Sequence, residues 1–141
     1  MAVILTKTDA EIQRCFPILK QLRPHLEENG FLERIHGQME GGYQLAMIET
    51  EDRVVAVAGF RIQENLFSGR HLYVDDLITD STQRSTGHGG ELLDWLIQHA
   101  KNEACECLAL DSGVHRCDAH RFYFKQRMSS MAYPFLLPLN S

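Results

Sequence analysis

The 141-residue chain has no apolar run approaching the roughly 18 residues that would argue for a membrane span. No segment is rich in lysine or arginine and the formal net charge is −5, which leaves general nucleic-acid binding little electrostatic footing. No repeat recurs and no Pro/Gly/Ser linker divides the sequence, so a single domain over residues 1–141 is expected. The opening Met1–Thr6 is too short for a signal peptide. Four cysteines are present, Cys15, Cys105, Cys107 and Cys117. Cys105 and Cys107 form a C-x-C pair that a strand's period of two would set on one side, and no second pair completes a zinc set. The expectation is reduced thiols in a cytoplasmic protein, with no metal and no membrane or nucleic-acid partner. What the chain does have is 44% hydrophobic and 23% charged residues, enough for an ordinary core and too apolar for global disorder.

Hydrophobic periodicity predicts the elements. Ala2–Thr6 reads as a short strand. Thr8 or Asp9 caps a helix carrying Ile12, Phe16 and Leu19, kinked or interrupted at Pro17. Pro24 opens a second helical stretch through about Met39, which Gly41-Gly42 ends. Tyr43–Glu49 and Arg53–Gln63 read as a hairpin, followed by a turn and a strand over His71–Thr79. A helix from about Gly90 to Asn102, a buried strand Glu106–Asp111 and a short helix Asp118–Gln126 come next. The last strand, Tyr133–Leu139, carries two prolines and reads as an edge. The order is β-α-α-β-β-β-α-β-α-β, an α/β class with an α+β mixed sheet in which hairpins precede a βαβ crossover.

The chemistry is concentrated in Leu77-Ile78-Thr79-Asp80-Ser81-Thr82-Gln83-Arg84-Ser85-Thr86-Gly87-His88-Gly89-Gly90, where a strand ends, a glycine-rich loop turns and a helix starts. Glycines allow positive φ and remove the Cβ that would block a ligand. A helix start offers unpaired N–H groups and a partial positive charge, which suits a phosphate or diphosphate. The helix behind it is amphipathic, with Leu92, Leu93, Leu96, Ile97 and Ala100 on one face. No lysine follows the glycines as a P-loop requires, and Gly87-x-Gly89-Gly90 has the wrong spacing for a dinucleotide fingerprint.

Arg84-Ser85-Thr86-Gly87-His88-Gly89 fits the pattern R/Q-x-x-G-x-G/A, and Ala119-His120-Arg121-Phe122-Tyr123 fits A-x-x-[LF]-Y. In these motifs, and in the strand-loop-helix-strand order around the first, the chain resembles the GCN5-related N-acetyltransferases, the GNAT superfamily, most clearly over residues 43–125. The resemblance implies a GNAT-like acyl-CoA N-acyltransferase fold and an enzyme moving acetyl from acetyl-CoA to a primary amine, small-molecule or protein, by direct attack. It implies that the cofactor arm pairs with Leu77, Ile78 and Thr79, and that the diphosphate is held from Arg84 through Ser85, Thr86, Gly87, His88 and Gly89 to Gly90. Tyr123 is the match to the family's general acid.

Asp75 and Asp76 are the candidates to receive the amine or to order a water that does. Adjacent on a strand, they point to opposite faces unless a bulge intervenes, with Asp76 on the side of Leu72, Val74 and Ile78, and Asp75 on the side of Tyr73. One of them as a solvated residue and the other as a hydrogen-bond anchor is the competing assignment. Tyr123-Phe124-Lys125-Gln126-Arg127-Met128 lacks the glycine that usually follows the family's tyrosine, and Arg116 stands where many members carry asparagine. The alternative to an enzyme is therefore a non-catalytic acyl-CoA sensor or partner module of the same fold. Phe135, Leu136 and Leu137 on an edge strand suggest a homodimer.

Overall fold

A computed structural model describes residues 2–83 and 86–140. Among these the strands are β1 (Val3–Leu5), β2 (Gln44–Thr50), β3 (Arg53–Asn65), β4 (Gly69–Thr79) and β5 (Cys107–Leu110). The helices are α1 (Asp9–Arg14), α2 (Phe16–Leu22), α3 (Phe31–Glu40), α4 (His88–Asn102) and α5 (Cys117–Lys125), and a 3-10 turn covers Ser81–Gln83. The strands form one sheet in the order β1-β2-β3-β4-β5, with β1 to β4 antiparallel in succession. This is the expected mixed sheet with helices. By contacts, the chain divides into two units, Met1–Ala109 and Leu110–Ser141.

In the first unit helices cover both faces of the sheet. Ile12, Cys15, Phe16, Ile18, Leu19, Phe31 and Ile35 from α1 to α3 close one core with Leu45, Met47, Val57 and Ile78. On the other face, α4 buries Leu92, Leu93, Leu96 and Ala100, and the Trp95 ring meets Phe60 edge-on at 5.9 Å. Val55, Ala56, Val57 and Ala58 of β3 are fully buried because both faces are covered. Thr8 caps α1 in a capping box, its Oγ1 accepting from the Glu11 amide while Glu11 Oε1 accepts from the Thr8 amide. The interruption expected at Pro17 falls at Cys15, with Pro17 in the first turn of α2, where its missing N–H is harmless. Cys15 itself is a core residue, and burial pushes its thiol up to about 12.

Several expectations are corrected. The second helical stretch does not start at Pro24: α3 begins at Phe31, because Gly30 before it has φ +86, outside the right-handed helical region. Glu106–Asp111 is not a buried strand; β5 is four residues long at the sheet margin, with Cys107 exposed and the others half-buried. Cys105 precedes β5, and its amide closes the turn out of α4 on the Ala100 carbonyl, so the C-x-C pair does not share a strand. Tyr133–Leu139 forms no strand, and Tyr133, Phe135, Leu136, Leu137 and Leu139 are exposed. Pro134 and Pro138 remove two ladder donors from that short segment.

The second unit contains α5. The His120 imidazole hydrogen-bonds the Gly113 carbonyl at 2.8 Å, and Arg121 pairs with Asp118 at 2.6 Å. The Phe122 and Tyr123 rings meet edge-on at 5.5 Å.

Candidate functional site

The register of β4 against β3 slips by one residue. Gly59 pairs with Asp76 and Phe60 with Val74, so Asp75 is the extra residue of a β-bulge. A slip of one reverses the faces of everything beyond it. Leu72 and Val74 lie on the α4 side with Ile62 and Phe60, whereas Asp76 and Ile78 lie on the side of α1 to α3 with Gly59 and Val57. The expectation that Asp76 shares a face with Leu72 and Val74 is thus corrected. The bulge lets both carboxylates serve the same side.

There they are met by cations. Arg61 clasps Asp75, its Nε donating to both carboxylate oxygens at 3.3 and 3.1 Å and its Nη2 to Oδ2 at 2.8 Å. The same Nη2 donates to Gln38 Oε1, and the guanidinium lies 5.4 Å from the Tyr43 ring centroid. Asp76 accepts from Arg23 Nε at 3.0 Å and from the Tyr43 hydroxyl at 2.7 Å. A second Arg23 nitrogen donates to the Asp75 carbonyl at 3.0 Å, so one side chain grips both residues of the bulge. Burial raises the Asp75 pKa against the opposing pull of Arg61. Burial, and then the neighbouring Asp76 charge, push the Tyr43 hydroxyl well above the ordinary tyrosine value.

Tyr43 reaches β4 by crossing β3 at Gly59. A Cβ on Gly59 would stand 1.8 Å from the Tyr43 hydroxyl and 2.8 Å from Asp76 Oδ2. Here the glycine is required by close approach rather than by a turn.

Beyond Thr79 the chain leaves the sheet through Asp80, whose residue surface is only 3% exposed. Its carboxylate accepts from Gln21 Nε2 at 3.1 Å, from the Thr82 amide at 3.3 Å, from the Thr82 hydroxyl at 3.1 Å and from Arg53 Nη2. The Gln21 bond is the largest of the influences that hold the Asp80 pKa below the usual carboxylate range, with Thr82 and Arg53 adding to it. Because the folded value lies below the unfolded one, the ionised form stabilises the fold above the usual carboxylate range. That contribution is lost as pH falls through the folded value. A cavity of about 320 Å³ lies beside this network, walled in part by Arg14, Ile18, Gln21, Arg53 and Asp80.

The glycine loop then enters α4. Gly87 takes φ +90 at the N-cap, a conformation that side chains rarely adopt. The Glu91 amide donates to the Gly87 carbonyl, so by helix geometry the amides of His88, Gly89 and Gly90 have no partner one turn back within α4. His88, in the first turn of α4, is a buried residue at 7% exposure. Thr86 Oγ1 donates to the Gln83 carbonyl. Arg84 and Ser85, named from the sequence for the same loop, lie outside the described residues. Leu77, Ile78 and Thr79 pair with Ala58, Val57 and Ala56 of β3 on one side. On the other, the contact with β5 is made at the start of β4, where the Glu106 amide donates to the Arg70 carbonyl at 2.7 Å. Four residues of β5 cannot cover the eleven of β4.

In the second unit Tyr123 is half-buried on α5. Burial raises its pKa, with Arg116 pulling the other way. The Ser112 hydroxyl is buried without a hydrogen-bond partner. Among the described residues no group of three or more His, Cys, Asp or Glu could hold a metal, and no helix is long and apolar enough to cross a membrane.

Sequence reasoning named Asp75, Asp76 and the loop but missed Gln21, Arg23, Tyr43, Arg53, Gly59 and Arg61. Only Gly59 had a readable signal, as the lone glycine in an otherwise apolar strand run.

Comparison with known proteins adds an independent line. The family model described as acetyltransferase (GNAT) family matches residues 6–128, which span parts of both units. A Bacillus subtilis (strain 168) protein described as the uncharacterized N-acetyltransferase YhdJ is 31% identical over 126 residues, 88% of this chain and 89% of that protein. Among solved structures, an aminoglycoside N-acetyltransferase, AAC(6')-Iy in complex with CoA, superposes with TM-score 0.85 at 10% identity over 99% of this chain and 96% of that one. Glucosamine-6-phosphate N-acetyltransferase from Arabidopsis thaliana superposes with TM-score 0.77 at 21% identity over 99% and 100%. At these identities the structural likeness speaks for the fold.

The crossing of Tyr43 over Gly59 is directly testable. Gly59→Ala is expected to cost about 1–3 kcal/mol in urea unfolding, because the added carbon displaces the Tyr43 hydroxyl from Asp76. A neutral result would mean that Tyr43 does not take this path.

Proposed function

The chain belongs to the acetyltransferase (GNAT) family, and from that premise we propose that it transfers the acetyl group of acetyl-CoA to a primary amine by direct attack, residues 1–141 acting as one catalytic domain. The observation that carries this reading is the left-handed Gly87 at the mouth of α4, immediately after β4. A glycine bend followed by helix-start amides is the donor set a diphosphate requires. Backbone groups of Thr86, Gly87, His88, Gly89 and Gly90 would hold it, with Arg84 and Ser85 assigned to the same loop. The free length of β4 supports Leu77, Ile78 and Thr79 as partners of the cofactor's amide-bearing arm. Acetyl-CoA supplies the activated acyl group. The amine nitrogen bonds to the acyl carbon as the carbon–sulfur bond breaks, and the enzyme's task is to position the two and to manage two protons.

For the outgoing proton, Asp75 and Asp76 are the proposed acceptors, directly or through an ordered water. Arg61 at Asp75 and Arg23 at Asp76 supply countercharge on a partly buried face, and the burial that raises the Asp75 pKa strengthens that carboxylate as a proton acceptor. For the incoming proton, Tyr123 is the proposed donor to the leaving thiolate. Its raised pKa supports that role, since the phenol keeps its proton throughout the neutral range. The acceptor is a small-molecule or protein amine, and the location is cytoplasmic. The exposed Tyr133, Phe135, Leu136, Leu137 and Leu139 support a homodimer that covers them.

Three measurements test these assignments. Gly87→Val is expected to leave the chain folded and to abolish CoA binding in calorimetry, since valine at φ +90 is strained; unchanged affinity overturns the loop assignment. Tyr123→Phe is expected to lower kcat by about 100-fold in thiol-release assays with a panel of amines, and the alkaline limb of wild-type kcat should lie above the ordinary tyrosine value. Binding of CoA without turnover on any amine would instead favour an acyl-CoA sensor. Sedimentation should give a dimer that Phe135→Asp with Leu137→Asp converts to monomer; a wild-type monomer refutes the self-association.

A further inference from the structure

The residues proposed to pair with the cofactor arm, Leu77 to Thr79, are bracketed by two contacts from a single turn of helix. Upstream, Arg23 at the C-cap of α2 donates to the Asp75 carbonyl and to the Asp76 carboxylate. Downstream, Gln21 in the last turn of α2 makes two bonds at once. Its Nε2 donates to Asp80 Oδ1 at 3.1 Å, and its Oε1 accepts from the Ser81 amide at 2.9 Å. The apolar seat of α2 is made by Phe16, Ile18 and Leu19, whereas Gln21 is an exposed residue outside that core.

From this juxtaposition we infer that the last turn of α2 is a brace for the cofactor segment, with Gln21 the positioning residue that fixes where the diphosphate loop departs. The inference rests on the functional reading above. Its chemical basis is that one carboxamide must donate and accept in the same plane. Gln21 thereby sets the Asp80 carboxylate and the Ser81 amide together, and Asp80 passes the constraint on. The Asp80 carboxylate accepts from the Thr82 amide, the Asp80 amide donates to the Val55 carbonyl at 2.8 Å, and the Gln83 amide donates to the Asp80 carbonyl at 2.8 Å. Arg53 holds the far side through Asp80 and the Thr82 hydroxyl. The 3-10 turn Ser81–Gln83 is therefore pinned before the glycines begin. Leucine at position 21 keeps the bulk and loses both bonds. Glutamate keeps the acceptor but turns a carboxylate oxygen toward Asp80.

The test uses the full chain and CoA itself. Gln21→Leu is expected to raise the calorimetric Kd for CoA and the KM for acetyl-CoA about tenfold, the equivalent of one or two lost hydrogen bonds, and Gln21→Glu to raise them further. Melting temperature should fall in both variants, because the buried Asp80 carboxylate loses a partner, while kcat and acceptor KM stay at wild-type values; a merely structural role would lower the melting temperature and leave the CoA Kd of the folded variants at the wild-type value. Amide hydrogen exchange at Ser81 and Thr82 in the absence of CoA should quicken in both variants. Wild-type affinity in Gln21→Leu, or unchanged exchange at Ser81, overturns the brace. Should the wild-type chain bind no CoA, the functional reading fails, and the exchange rates alone decide whether Gln21 anchors the loop.

Discussion

A single unpaired residue in β4 governs the polar side of this protein. Without the extra residue at Asp75, strand alternation would turn one of two adjacent carboxylates toward α4. On that face Phe60, Leu72 and Val74 are buried, with the Trp95 and His99 rings of α4 packed against Phe60. Desolvating a carboxylate there without a partner costs several kcal/mol or forces it to neutralise. The bulge turns both acids toward α1 to α3 instead, where Arg23, Arg61 and Tyr43 supply donors. The same slip decides which way Leu77, Ile78 and Thr79 present themselves, because each residue after the bulge inherits the reversed phase.

Those donors come from widely separated parts of the chain: the end of α2, the residue before β2, and the middle of β3. Each carboxylate therefore ties a different element to β4. Asp75 binds β3 to β4 through Arg61, and Asp76 binds α2 and the entry to β2 through Arg23 and Tyr43. Removing Arg61 would strip a half-buried Asp75 of its guanidinium partner, and removing Arg23 would leave Asp76 with the Tyr43 hydroxyl, so the group holds together as a set. Gly59 makes the set sterically feasible, since the Tyr43 hydroxyl occupies the space its side chain would take.

Much of this was legible in the sequence, and the remainder has identifiable causes. The fifteen-residue α4 announces itself by the spacing of its leucines, and the loop before it by three glycines in six residues that also carry the family resemblance. The late start of α3 was readable in principle from Asn29-Gly30, a turn signal that the charged helical run obscured. The missing last strand was not: Phe135 to Leu137 have strand character, and the two prolines alone did not decide against pairing. The bulge leaves no trace in one sequence, because alternation is the default and its violation depends on where β3 offers a glycine. Ion pairs separated by about fifty residues, such as Arg23 with Asp76 at 53, depend on tertiary placement that periodicity cannot encode.

The anchoring of Asp80 to α2 and β3 has a thermodynamic consequence. On the proposed reading, a loop whose first residues are already held by these bonds would spare an incoming diphosphate part of the cost of ordering them. Recognition and fold integrity then draw on one reservoir of rigidity. Heat, acid or denaturant that loosens the final turn of α2 would erode recognition while the hydrophobic interior is still intact.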